Sequence, residues 1–463
     1  MRLSRYFPRG GFPSWGALFS GALLAAQVAQ ASIDLNLDDP NSIKKAAKIA
    51  AEGMLKYYTG YRPGDVPGNL PDPYYWWEAG AMFGALVDYY YYTGDKSYVD
   101  ITTQALLWQV GPDRNYMPPN QTKTLGNDDQ GFWGMAAMSA AEVNFPNPPE
   151  DQPQWLALAQ AVFNTQYPRW DNTTCGGGLK WQIFTFNNGY NYKNTISNGI
   201  FFNIASRLAL YTGNKTYAEW AEKAWDWVIA IGLGSPTYQF FDGTDDTQNC
   251  TSINHIQWSY NTGVFMHGAA TMYNFTNGDE RWKERLEGII KASELFFSKE
   301  PPNVMTEVAC EGNGKCNIDQ RSFKAYLSRW MAATVKLAPF THDLIMPKLR
   351  ASAQAAALQC NGPDNACGLR WTQGAEYDGS TGVGEQMSAM EIIQSNLIDY
   401  VPPRFTNKTG GTSKGDPNAG MSKTPGPLGI YQDEITVADR AGAGILTGFI
   451  LICAVGGAWW VVS

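Results

Sequence analysis

The chain has 463 residues, with 35 Lys+Arg against 43 Asp+Glu, a net charge of −8 and no basic block, which argues against a nucleic-acid partner. Its three histidines, His255, His267 and His342, lack metal-ligand spacing, and no CxxC pair suggests zinc. Aromatic residues make up 13 %, an unusual supply of flat apolar rings.

Residues 1–31 read as a secretory signal. Arg2, Arg5 and Arg9 precede an uncharged run from Gly16 to Val28 and the small-x-small site Ala29-Gln30-Ala31. Beyond it, apolar residues recur every three to four positions between Gly, Pro and Asn turns. This predicts about twelve helices, near 40–58, 74–93, 97–110, 128–143, 152–167, 194–212, 214–231, 258–275, 279–298, 317–338, 341–358 and 384–399. Nothing sustains a two-residue alternation, and the best place for a short hairpin is Gly178–Phe186.

A weak repeat joins some of these helices. Tyr92-Thr93-Gly94-Asp95-Lys96-Ser97-Tyr98 returns as Tyr211-Thr212-Gly213-Asn214-Lys215-Thr216-Tyr217, and in degenerate form around Thr276-Asn277-Gly278-Asp279. Each copy fits a helical corner: a glycine ends one helix, an Asp or Asn caps the next, and a tyrosine packs the hairpin. Six such hairpins give an all-α fold, an (α/α)6 barrel, over residues 32–405. An open helical solenoid is the alternative, although its repeats are normally shorter and more regular.

From 406 the composition turns to Gly, Pro, Ser, Thr and Lys, as in a flexible stalk reaching to 440. Residues 441–463 carry no charge and suit a GPI-attachment signal better than a membrane span, because nothing charged follows the apolar run. The expected setting is therefore secreted and at the cell surface, with the membrane reached through a GPI anchor. Cysteine usage agrees. Cys310/Cys316 and Cys360/Cys367 are close pairs that leave Cys175 and Cys250, so three disulfides is the economical reading, with Cys453 in the tail. Six sequons, at Asn120, Asn172, Asn214, Asn249, Asn274 and Asn407, fit a luminal chain.

Asn127-Asp128-Asp129-Gln130 opens the fourth helix and is the leading candidate for chemistry. Adjacent Cα atoms lie about 3.8 Å apart, so the two carboxyl groups can approach about 5 Å, near the spacing of retaining glycosidases. One pKa should rise while the other stays low, which separates acid from nucleophile. The competing reading is a helix cap. Trp76-Trp77, Trp133, Trp181, Trp258, Tyr260 and Trp371 could stack on sugars, with Trp77 and Trp133 closest to polar helix starts. Asp242-Gly243-Thr244-Asp245-Asp246 could hold hydroxyls or calcium, or form a solvated turn.

Taken together, Asn127-Asp128-Asp129-Gln130 with Trp133, Cys175-Gly-Gly-Gly-Leu-Lys-Trp181, Lys193-Asn194-Thr195-Ile196-Ser197-Asn198, Ser259-Tyr260-Asn261-Thr262-Gly263 and Gly384-Glu385-Gln386-Met387 resemble glycoside hydrolase family 76. Within it they look most like the fungal GPI-anchored, wall-associated mannosidase-like proteins. The resemblance implies an (α/α)6 barrel, no cofactor, and retaining endo-cleavage of α-1,6-mannosidic bonds. Asp128 would be the nucleophile and Asp129 the acid/base, with Asn127, Asp242, Tyr260 and Asn261 binding sugar; Gln130, Trp77, Trp133 and Asn194 are further candidates for sugar contact. Thr262 departs from the Gln that many bacterial members carry there. For the fungal branch the implied substrate is a mannose-containing GPI glycan, passed on to a wall glucan acceptor. Simple mannan hydrolysis and a catalytically silent wall lectin are the alternatives.

Overall fold

A computed structural model describes residues 32–421, together with residues 442, 444–448, 450–453, 456 and 459. Residues 1–31, where a signal segment is expected, residues 422–440 and much of the C-terminal apolar run lie outside the described residues. Among the described residues, no helix is long and apolar enough to cross a membrane.

The main helices are α1 (Pro40–Leu55), α2 (Trp76–Thr93), α3 (Val99–Trp108), α4 (Asn127–Glu142), α5 (Trp155–Gln166), α6 (Thr195–Thr212), α7 (Lys215–Ala230), α8 (Ser259–Phe275), α9 (Glu280–Ala292), α10 (Phe323–Leu337), α11 (His342–Gln359) and α12 (Val383–Gln394). The even-numbered helices form a closed inner ring, each packed on the next, with α12 returning to α2. The odd-numbered helices lie outside, each against a member of that ring. The molecule is thus an all-α helical barrel.

Burial explains the division. On α4 every residue except Asp129 is buried, as an inner helix requires. On α9 the buried residues are Trp282, Leu286, Ile289 and Ile290, one stripe with a wet opposite face. Close approach in the ring depends on small residues: a Cβ at Gly80 of α2 would lie 2.8 Å from the indole of Trp133 on α4.

The repeated corners form with one variation. The α2 and α6 helices end at Gly94 and Gly213, both left-handed, whose N–H groups close onto the carbonyls of Tyr90 and Ala209. Asn214 and Asp279 then cap α7 and α9. Asp95 instead ties down Ser97, and α3 starts only at Val99.

The hairpin expected at Gly178–Phe186 is not formed. The sheet is β1 (Tyr192–Asn194), β2 (Gly243–Asp245) and β3 (Ile253–Asn254), antiparallel in that order. Gly176, Gly177 and Gly178 all have positive φ, the Asn198 amide takes both the N–H and the C=O of Leu179, and residues 181–183 bond instead to the backbone of Leu125, Asn127 and Tyr192, so the stretch does not fold back on itself. Disulfides join Cys175–Cys250, Cys310–Cys316 and Cys360–Cys367, and all six sequon asparagines are exposed.

The inner helices all run the same way. Their first turns share one mouth, and their later turns share an opposite end that carries a buried ionic network. There Arg329 of α10 pairs with Asp88 of α2 (3.0 Å) and Glu391 of α12 (2.6 Å), and Arg207 of α6 pairs with Glu142 of α4 (2.8 Å). Arg404, beyond the last helix, reaches both Asp88 (3.0 Å) and Glu142 (3.4 Å). The chain that follows corrects the flexible stalk over residues 406–421. Asn407 N–H bonds to Tyr211 O, Ser413 is buried, and Asn164 donates to the carbonyls of Pro417 and Ala419.

Candidate active site

The mouth is built from helix starts, where unpaired N–H groups and the helix dipole favour negative charge. Asp128 and Asp129 occupy the second and third positions of α4. Asp128 Oδ1 accepts the Asp129 N–H at 3.1 Å, and Oδ2 accepts Asn194 Nδ2 at 3.0 Å. Asn194 is held in turn as the N-cap of α6, its Oδ1 accepting from Ser197 N–H. Asp129 Oδ2 accepts the Gly126 N–H at 2.7 Å, a capping contact, and among the described residues no protein donor reaches its Oδ1. Capping and chemistry therefore use different oxygens of one carboxylate.

The electrostatics differ from the simple split expected for a close pair. Burial pushes both carboxyls up, Asp128 to about 7. Asn194 and backbone N–H groups oppose the rise at Asp128, whereas Asp129 is raised further by the charge of Asp128. Asp128 thus ionises first and Asp129 keeps its proton. That is the division of labour a nucleophile and a general acid need.

Two residues at this site gave no signal in the sequence. Asp319, in the 3-10 turn Asp319–Ser322 before α10, raises both Asp128 and Asp129 through its charge; burial lifts its own carboxyl to about 6, and the Trp77 indole donates to it. Gly126 is the second: a Cβ there would lie 2.3 Å from Asp128 Oδ1. A glycine before a helix and an aspartate in an irregular loop are too common to single out by pattern.

The expected sugar-binding residues separate into two groups. Trp77 and Tyr260 remain partly exposed at the mouth. Trp77 packs on Phe132 at 4.7 Å, and Tyr260 stacks on Phe323 at 3.9 Å and 7°. Asp242 is also partly exposed, and it accepts bonds from Tyr192 (2.5 Å), Trp258 (2.8 Å) and Asn254 (3.1 Å). Asn261 is fully buried on α8, with neither amide atom bonded to protein among the described residues. Asn194 acts on Asp128.

Three others are corrected to structural roles. Trp133 is fully buried between Trp76 and Tyr116. Gln130, also fully buried, donates to Asn115 O and Thr165 Oγ1 and accepts from Arg169. Asn127 is buried, and its amide donates to Lys180 O and accepts from Arg169. The Asp242–Asp246 cluster does not converge on one point: Asp245 caps Thr247 N–H and Asp246 pairs with Lys180.

A buried, hydrogen-bonded carboxylate beside a protonated one, at the mouth of a helical barrel, defines a glycosidase of the two-carboxylate class. The sequence profile of glycosyl hydrolase family 76 matches residues 42–408, and the chain belongs to that family. It is a glycoside hydrolase. It is 49 % identical to the mannan endo-1,6-alpha-mannosidase DCW1 of Eremothecium gossypii, over 93 % of this chain and 94 % of that protein. The crystal structure of Dfg5 from Chaetomium thermophilum in complex with glucosamine is similar at 48 % identity and a TM-score of 0.81, covering 86 % of this chain and 99 % of that one. An inactive variant of the alpha-1,6-mannanase GH76A of Salegentibacter sp. HEL1_6, in complex with alpha-1,6-mannotriose, shares the fold at 18 % identity, with a TM-score of 0.61 over 77 % and 99 % of the two chains.

Proposed function

We propose that the protein is a retaining endo-1,6-α-mannosidase acting on α-1,6-linked mannose. The observation that carries this reading is the unequal treatment of the two carboxylates. Asp128 receives donors on both oxygens, and Asp129 keeps one oxygen free with its proton retained. In the first step Asp128 attacks the anomeric carbon while Asp129 protonates the departing oxygen. In the second, Asp129 takes a proton from water, which displaces Asp128 from the glycosyl-enzyme.

The names of the fungal relatives support hydrolysis of mannan above the transfer reaction expected at first. Transfer of a GPI-linked mannoside to wall glucan needs only that a sugar hydroxyl replace that water, and it remains the second reading. Secretion and a surface location are part of the proposal, supported by three disulfides and six exposed sequons. Attachment through a GPI anchor rests on the sequence of residues 441–463.

The test is to trap the enzyme with an activated 2-fluoro-mannoside and map the adduct by mass spectrometry. An adduct on Asp128 is expected, and one on another residue would overturn the assignment of roles. Product analysis with α-1,6-mannotetraose, with and without a β-glucan oligosaccharide, separates hydrolysis from transfer.

A further inference from the structure

On the outer flank of the first turn of α4 lies a cavity of about 520 Å³, lined by Asn127, Arg169, Asp171, Thr173, Lys180 and Tyr190 among others. It holds an unusual cation. Arg169, at the end of the 3-10 turn Tyr167–Arg169, donates to Asn127 Oδ1, to Gln130 Oε1 (3.0 Å) and weakly to Met117 Sδ (3.1 Å). No carboxylate pairs with it among the described residues.

The neighbouring lysines differ. Lys180 has Asp246 and Asp171, Lys193 has Asp171 at 3.1 Å, and this set of two cations and two anions is balanced. Arg169 is the uncompensated charge. It lies beside the first turn of a helix, the end where a cation is disfavoured. Burial alone pulls its pKa down, to about 9, with no carboxylate opposing the shift. An unpaired, largely desolvated guanidinium is costly unless something brings the missing anion.

Among the described residues three of its five N–H groups are used, which leaves Nε and one Nη2 hydrogen for a partner. Phosphate and carboxylate oxygens fit that geometry. The ammonium of Lys180, 4.6 Å above the Tyr190 ring, belongs to a residue that lines the same cavity. Asp171 does not compete, because two threonines and Lys193 already satisfy it and hold its carboxyl well below the usual range.

We infer that this cavity is an oxyanion subsite beside the catalytic pair, and that it receives a phosphate ester carried by the mannoside substrate, with Arg169 as its principal ligand. This rests on the α-mannoside reading above and narrows the substrate from any α-1,6-mannan to an anionic, phosphorylated one. Asn127 would couple the two sites, since one side-chain amide touches Arg169 and its chain neighbour is Asp128.

The full chain is titrated calorimetrically with mannose 6-phosphate, mannose and inorganic phosphate. Mannose 6-phosphate should bind at least about tenfold tighter than either. Arg169→Gln should abolish that preference, and Arg169→Lys should retain part of it. Equal binding of mannose and mannose 6-phosphate by the wild type overturns the subsite, whatever the variants do. Inorganic phosphate binding as tightly as the sugar phosphate overturns its assignment to a glycan substituent. Labelling the same wild-type sample with the 2-fluoro-mannoside keeps the two ideas apart: an adduct on Asp128 without phosphate preference sinks only the subsite, and phosphate preference without an adduct sinks only the retaining mechanism.

Discussion

Replacing Asn194 with alanine tests the electrostatic argument most directly. Among the described residues its Nδ2 is the sole side-chain donor to Asp128, 3.0 Å from Oδ2, and the residue is largely buried. A hydrogen bond to a charged group is worth about 1.5–3 kcal/mol, and one pKa unit corresponds to about 1.4 kcal/mol. Loss of the donor should therefore raise the Asp128 pKa, already about 7, by about 1–2 units. A nucleophilic carboxylate works only when ionised, so activity climbs as pH rises through its pKa. The acid limb of kcat/KM should move to higher pH by that amount, and activity at pH 6 should fall about 10- to 100-fold. Asn194 also caps α6, which adds about 1 kcal/mol of destabilisation. Asn194→Ser keeps a capping oxygen and separates the two effects. The assay is the pH–rate profile on α-1,6-mannotetraose, read beside thermal denaturation. An unmoved acid limb in a folded variant would refute the reasoning.

Removing the like charge at position 319, by Asp319→Asn, should shift both limbs of that profile to lower pH by about 0.5–1 unit; a shift upward would contradict the assignment. Gly126→Ala drives a methyl against Asp128 Oδ1, so kcat should drop at least about 10-fold with the circular dichroism spectrum unchanged. Arg404→Ala takes one of two arginine partners from Asp88 and from Glu142, which keep Arg329 and Arg207, and should cost about 1.5–3 kcal/mol in chemical denaturation, with activity per folded molecule retained. Finally, a carboxyl raised in the folded state stabilises the protein fully below its unfolded pKa, and that stabilisation is lost as pH rises through the folded value. Wild-type stability should thus decline between about pH 4 and pH 7, and Asp128→Asn should flatten the slope, measured by melting temperature across that range.

Much of the barrel was legible because its cause is local. Apolar spacing, glycine stops such as Gly213 and caps such as Asn214 located the helices to within a few residues, apart from the start of α10 and the ends of α9 and α12, where 3-10 turns take the positions expected to be α-helical. The catalytic pair was legible because both members are adjacent in sequence. What remained hidden depends on distant contacts. Trp133 looks like a sugar platform until Trp76 and Tyr116 enclose it, and Asn127 looks free until Arg169 and Lys180 arrive from a loop some forty to fifty residues away. Composition suggested a loose tail after 405, yet Arg404 and Ser413 fasten that stretch through partners on α2, α4 and α5. Asp319 acquires meaning only from where the barrel brings it.

The common direction of the inner helices gives the barrel a permanent polarity. Six positive dipole ends meet around Asp128, Asp129 and Asp319, while Arg207, Arg329 and Arg404 gather toward the negative ends. Charge changes are therefore not interchangeable between the two ends. The helix dipoles alone favour an acid at the mouth and a base at the opposite end, while the side-chain charges already there, acids at the mouth and paired arginines at the base, work against a further one of the same sign. A designer who wished to move the site would have to turn the helices around, whereas one who wished to retune it could work at the mouth alone and leave the ionic network beneath it intact.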